Sequence, residues 1–137
     1  MIADSIHSAL TRALASRWCI FILLFIGGSI QALCFAPDPL PAWALSPLQI
    51  ILMAWLVRNI WLSNTPIDAA LRAGSFALGQ FVTGLYWLTI SMHIYGAMPL
   101  PLAIAALFAV SAYLAVFAAL TGWLTRKLGF AAWSEGN

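Results

Sequence analysis

Apolar residues run through this chain in long blocks, without the strict alternation of a strand or the one-sided spacing of a soluble helix. Four blocks are long enough to predict helices of membrane length, about 20 residues each. The first covers Trp18 to Ala36 and stops at Pro37, in the loop Pro37-Asp38-Pro39-Leu40-Pro41. Proline cannot donate to a helix ladder and disfavours helix in the residue before it. The second covers Ala42 to Leu62, with Pro47 near its start. Ser63-Asn64-Thr65-Pro66 then breaks the pattern. Thr65-Pro66-Ile67-Asp68 offers an N-cap, a proline in the first helical position and an acid in the first turn. A third span is expected over 69–92, a loop from Ile94 to Pro101, and a fourth span over 102–124. The expected fold is an all-α integral membrane bundle of four transmembrane helices. It has an N-terminal arm at 1–17, a membrane domain at 18–124 and a tail at 125–137.

Composition sharpens this picture. Of 137 residues, 64% are hydrophobic and 7% charged. A soluble domain carries about 25% charged residues, and a chain this apolar has too little polar surface to cover a core. The mean hydropathy of +0.96 agrees. The net charge of +2, with no block of Lys and Arg, excludes a nucleic-acid partner. The basic residues set an orientation. Arg12 and Arg17 precede the first span, Arg58 and Arg72 flank the junction of the second and third, and Arg126 and Lys127 follow the fourth. The other two loops contain none, so all six basic residues fall on one side. The positive-inside rule makes that side, and both termini, cytoplasmic. Arg12 and Arg17 also give the first block the polarity of a signal peptide, but the block is long enough to span and no small-residue cleavage site follows. A retained helix is expected.

The third span is the least lipid-like. Gln80, Gly84, Trp87 and Ser91 share one helical face, with Ser75, Gly79 and Thr83 beside it. The fourth carries Ser111, Ala115, Ala118 and Gly122 at similar spacing. Small residues let helix backbones approach where lipid gives no hydrophobic drive for association, so these faces are expected to pack against each other or against other helices. Trp18, Trp43, Trp61, Trp123 and Trp133 fall near span ends, where indole rings collect. Tyr86, Trp87, Ser91, His93 and Tyr95 admit two readings: an aromatic belt with an interhelical hydrogen bond, or the lining of a lipid or substrate groove at the outer surface. Spacing alone favours the first.

Catalytic chemistry is thin. Nucleophilic transfer needs a nucleophile, a base within reach and donors for the developing charge. The acids are Asp4, Asp38, Asp68 and Glu135, and Lys127 is the single lysine. Only Asp38 and His93 are expected on the outer side. Cys19 and Cys34 lie more than about 20 Å apart along one helix, too far for a disulfide, and are expected to pack as small apolar residues. No metal spacing, cofactor motif or phosphate loop is present, so no cofactor is expected. The chain by itself reads as a scaffold, and a self-contained four-helix interaction module is the alternative to a part of an enzyme.

Four short motifs, in order, point to the enzyme. Leu33-Cys34-Phe35-Ala36-Pro37 is similar to L-x-F-[AS]-P at the end of a first helix. Gly84-Leu85-Tyr86-Trp87-Leu88-Thr89-Ile90-Ser91 is similar to G-x-x-W-[VIL]-x-[VI]-S. Tyr95-Gly96-Ala97-Met98-Pro99 and Ala112-Tyr113-Leu114-Ala115 complete the series, which extends to about Leu128. In these the chain resembles the N-terminal membrane part of the apolipoprotein N-acyltransferase family. The resemblance implies a multi-pass protein of the bacterial inner membrane with eight helices and a periplasmic nitrilase-like domain. Its Glu-Lys-Cys triad takes an acyl chain from a phospholipid and passes it to the N-terminal diacylglyceryl-cysteine of an apolipoprotein. The implied partners are therefore a phospholipid acyl donor and an apolipoprotein. No residue here matches the triad, and Cys19 and Cys34 are not candidates for it. The chain ends soon after the fourth span, so it is expected to be a fragment or truncated product, inactive in transfer by itself.

Overall fold

The computed structural model describes residues 2–35 and 42–135, with side chains for 18–35 and 45–129. The proline loop at 36–41 lies outside the described residues. Those described form helices and turns without a strand. The helices are α1 (Ile2–Leu33), α2 (Ala42–Trp61), α3 (Pro66–Gly84), α4 (Tyr86–Ile90) and α5 (Leu100–Glu135), with a π-helical turn at Ser91–Tyr95 after α4. The all-α expectation holds. Among the described residues one stretch, Leu100–Gly129 of α5, is long and apolar enough to cross a membrane. Trp18–Leu33 and Leu45–Trp61 are shorter apolar segments.

Element bounds depart from the apolar blocks at three places. Helix α1 begins at Ile2, well before Trp18, because no glycine or proline interrupts the polar stretch ahead of the apolar one. Helix α5 continues to Glu135 through Gly129, since no proline follows Leu124 and a single glycine costs a helix only about 1 kcal/mol, and its 36 residues extend about 54 Å at 1.5 Å per residue. The third block is the opposite case. It does not form one continuous helix over 69–92, since α3 ends at Gly84 and Leu85 takes φ −100° and ψ 8°.

The N-terminus of α3 forms as its sequence predicts. Thr65 is extended, its hydroxyl accepts from the Asp68 amide at 3.1 Å, and Pro66 opens the helix. That bond satisfies one of the orphan N–H groups of the first turn.

Helix α3 lies between α1 and α5, and backbone proximity explains how. A Cβ on Gly28 would strike the Phe76 carbonyl, and one on Gly79 would strike the Phe25 carbonyl. The two glycines therefore let α1 and α3 touch backbone to backbone, and Ser29 Oγ donates to the Gly79 carbonyl at 3.3 Å. On the other side, a Cβ on Gly122 of α5 would lie 2.7 Å from Ala73 Cβ and 2.8 Å from the Ala69 carbonyl oxygen. Leu24, Ala69, Ala73, Phe76, Ala77, Ala103, Leu107 and Ala115 form the apolar core. Gly79 was expected among the small residues that meet another helix, and the helix it meets is α1. The α5 row meets Ala69 and Ala73 instead. Helix α2 is peripheral; Trp55 reaches Gly27 from it, where a Cβ would lie 2.6 Å from the ring.

Candidate functional site

The segment that begins at Gly84 owes its shape to two successive departures from α-helix. The Leu85 amide still donates to the Phe81 carbonyl at 2.9 Å, but the Leu85 carbonyl accepts from Leu88 in the tighter three-residue pattern. Helix α4 then restarts in a new register. At its end the Gly96 amide donates to the Ser91 carbonyl at 3.2 Å, five residues back, which widens the helix by one residue. Met98 closes the turn onto the Met92 carbonyl at 3.1 Å, with Ala97 between them at φ 48°. This six-residue closure through a left-handed residue is a C-terminal capping geometry. Gly96 is required because a Cβ there would lie 2.7 Å from the Met92 carbonyl oxygen.

His93 braces the same turn. Its Nδ1 lies 2.8 Å from the Met98 carbonyl oxygen. A carbonyl only accepts, so the proton in this bond is assigned to Nδ1. Pro99 then takes the first α5 bonds, accepting from Leu102 and Ala103 at 2.9 and 3.1 Å.

Because α3 breaks, Gln80, Gly84, Trp87 and Ser91 do not form the single inward face expected of a continuous helix. Gly84 is exposed, Gln80 and Ser91 are half-buried, and Trp87 is 55% exposed. Tyr86 and His93 are also exposed, and Tyr95 is 86% exposed. Of the five residues singled out, Tyr86 borders a recess of about 340 Å³. Its other walls are the end of α1, with Ala32, Leu33 and Phe35, and the last turns of α3, with Gln80, Thr83 and Gly84. Trp87, Ser91, His93 and Tyr95 follow along α4 and the turn. Leu33 and Phe35 stand in the first of the family motifs, but nothing in the sequence marked them as walls of a recess, since apolar residues at a helix end are indistinguishable from lipid-facing ones. Gln31, also near that end, is buried with its Oε1 unpartnered among the described residues. Cys34 is buried, as a packing residue should be, whereas Cys19 is exposed.

The other end of α3 gathers charge. Asp68 pairs with Arg72 one turn on at 2.8 Å, with both side chains nearly buried. Arg72 Nη1 also donates to the Asn59 carbonyl at 2.9 Å, and Arg126 Nε donates to the Ser63 carbonyl at 3.1 Å. Two arginines from α3 and α5 thus satisfy carbonyls at the C-terminal end of α2, where the helix leaves its own acceptors unpaired. Lys127 lies over the Trp123 ring, 4.5 Å from its centre. Asn64, Pro66, Arg126 and Lys127 line a cavity of about 210 Å³ there. No three His, Cys, Asp or Glu side chains converge among the described residues.

The family model of the apolipoprotein N-acyltransferase N-terminal domain matches residues 27–135. The chain is 45% identical over 106 residues to apolipoprotein N-acyltransferase of Bordetella bronchiseptica, covering 77% of this chain and 19% of that protein. It is 42% identical over 101 residues to the enzyme of that name from Ralstonia nicotianae, covering 74% and 18%. With that of Shewanella oneidensis the identity is 34% over 116 residues, covering 82% and 21%. The chain spans about a fifth of the length of these relatives. The family match over residues 27–135 takes in both glycines of the α1–α3 seam, the broken third helix and the whole of α5. This chain belongs to the apolipoprotein N-acyltransferase N-terminal domain family.

Proposed function

We propose that this chain is the N-terminal membrane part of an enzyme that moves an acyl chain from a phospholipid to the N-terminal diacylglyceryl-cysteine of an apolipoprotein. It crosses the bacterial inner membrane four times, with spans near 18–36, 42–62, 69–92 and 102–124 and both termini in the cytoplasm. The observation that carries the proposal is the family match across residues 27–135. Two features support the orientation. Arg58, Arg72, Arg126 and Lys127 gather where α2 ends and α3 begins. The Tyr86–Tyr95 segment, which carries no Lys or Arg, follows the far end of α3.

In this reading the Tyr86–Tyr95 segment faces the outer surface and meets the lipid donor. The recess beside Tyr86 is apolar along its α1 wall and carries polar groups from Gln80 and Thr83, which suits an acyl chain near its ester end. Trp87 and Tyr95, large and exposed, suit the interface where one edge of a ring is apolar and the other wet. The chain's own residues bind and orient. The nucleophile, its acid and its lysine are not among these 137 residues, so the purified chain alone transfers no acyl group.

A hybrid tests this. The chain replaces the matching region of the Bordetella bronchiseptica relative in cells depleted of their own enzyme, and the N-terminal amine of a lipoprotein is read by mass spectrometry. N-acylation is expected to return. Gly84→Trp, whose side chain projects into the recess, is expected to lower it without loss of the hybrid from the membrane. A stable hybrid that leaves the amine free overturns the proposal.

A further inference from the structure

Gln80 and Phe81 belong to two spaces at once. They wall the recess beside Tyr86, and they also border a second cavity of about 260 Å³ between α2, α3 and α5. Small residues make room for it. Ala73 and Ala77 of α3 and Ala118 and Gly122 of α5 line one side, where the two helices approach closely and leave little side-chain volume. Met53, Leu56 and Ile60 of α2 line the other. Helix α2 is anchored to α1 by Trp55 against Gly27 and to α3 by Arg72 on the Asn59 carbonyl, which leaves the gap between these points unfilled. Thr121 borders the cavity, but its hydroxyl donates to the Phe117 carbonyl at 2.9 Å. The other polar side chain is Gln80 at the shared wall, whose amide has no hydrogen-bond partner among the described residues. The second cavity is therefore apolar below a single amide at its mouth.

We propose that this second cavity takes the far end of the donor lipid's acyl chain, so that its depth sets the chain length the site accepts. This rests on the reading of the recess as the place of the ester end. The Gln80 amide then donates to the ester carbonyl, an acceptor that the apolar lining does not offer. The chain passes Phe81 and runs along α3 toward Ala73. Rotation of the half-buried Gln80 and Phe81 side chains joins the two spaces. From Gly84 at the recess to Ala73 at the deep end, α3 rises about 16 Å at 1.5 Å per residue. One leaflet contributes about 15 Å to a hydrocarbon core of about 30 Å, so the path matches the depth of a single acyl chain. Chains that are too long meet Ile60 and Gly122 at the floor, and chains that are too short leave a void there that costs binding.

The test uses the whole chain purified in detergent micelles and two photoreactive phosphatidylglycerols. One carries a diazirine beside the ester of an acyl chain, the other at the methyl end of the same chain, and the crosslinked residues are read by mass spectrometry. The first is expected to label Thr83 and Tyr86, the second Met53 and Phe76. Ala118→Leu and, from the α2 side, Leu56→Trp put bulk into the cavity. Each is expected to lower methyl-end labelling of Met53 and Phe76 about tenfold and to leave near-ester labelling of Tyr86 in place, which also reports that the helices still pack. Ala112→Leu, which borders a different groove of α5, is expected to change neither. Cavity labelling that both bulky variants leave unchanged overturns the inference. Equal labelling of the cavity by the two probes overturns it too, because a lipid entering at random from the micelle places neither end preferentially. The labels are read without acyl transfer. A failed hybrid with a labelled cavity leaves the chain-binding cavity standing, whereas a working hybrid with an unlabelled cavity removes this inference alone.

Discussion

Gly28 of α1 sits directly on the Phe76 carbonyl of α3, so closely that no side chain could be placed between them. The reciprocal contact, Gly79 on the Phe25 carbonyl, makes the seam two-sided. Backbone atoms cannot swing away as a side chain can, so an added methyl must part the helices. Gly28→Ala and Gly79→Ala are each expected to lose about 1–3 kcal/mol of stability, as overpacked cores do. Gly84→Ala is the control: its Cβ would meet Ala32 Cβ at an ordinary 3.7 Å, and a change within about 0.5 kcal/mol is expected if the surrounding turn accepts it. Unfolding in a graded denaturing detergent measures all three. A seam indifferent to both alanines would mean that α1 and α3 do not meet as described.

The Asp68–Arg72 pair is nearly buried, so removing the Asp68 carboxylate takes from Arg72 the counter-charge 2.8 Å away. Asp68→Asn is expected to cost about 3–5 kcal/mol, and Asp68→Asn with Arg72→Met less than Arg72→Met and Asp68→Asn summed. The same unfolding assay, run as a double-mutant cycle, reports the coupling. Additive losses would show that the two side chains act separately.

Ala97 occupies a left-handed conformation that costs an L-residue about 1–2 kcal/mol. Ala97→Gly is expected to slow hydrogen exchange at the Met98 amide, and Ala97→Val to speed it. Gly96→Ala is expected to speed it too, by pushing against the Met92 carbonyl. The opposite order would rule out the capping geometry.

Orientation is read by thiol labelling. With Cys19 and Cys34 replaced by alanine, a cysteine at Ala97 is expected to react with an impermeant reagent added outside spheroplasts. A cysteine at Asn64 is expected to react only after permeabilisation. The reverse pattern would turn the proposed topology over.

Local chemistry was readable along the chain. Thr65, Pro66 and Asp68 announced the start of α3 because capping needs only neighbouring residues. The all-helical fold followed from apolar blocks long enough to need every backbone group bonded within the helix. The glycines and alanines on α3 and α5 announced close packing but not with whom. Gly79 meets α1 and Gly122 meets Ala69 and Ala73, a choice made by how three helices cross.

The break at Leu85 was hidden, because one residue at φ −100° leaves no mark in hydropathy, and it dissolved the face drawn through Gln80, Gly84, Trp87 and Ser91. Helix existence, the α3 cap and family membership come from the sequence, since they rest on short-range pattern. The partners of each small residue, the Tyr86 recess and the joining of Arg126 to Ser63 across 63 positions come from the tertiary structure. They depend on distances between helices, and those are set by backbone contact at a few glycines.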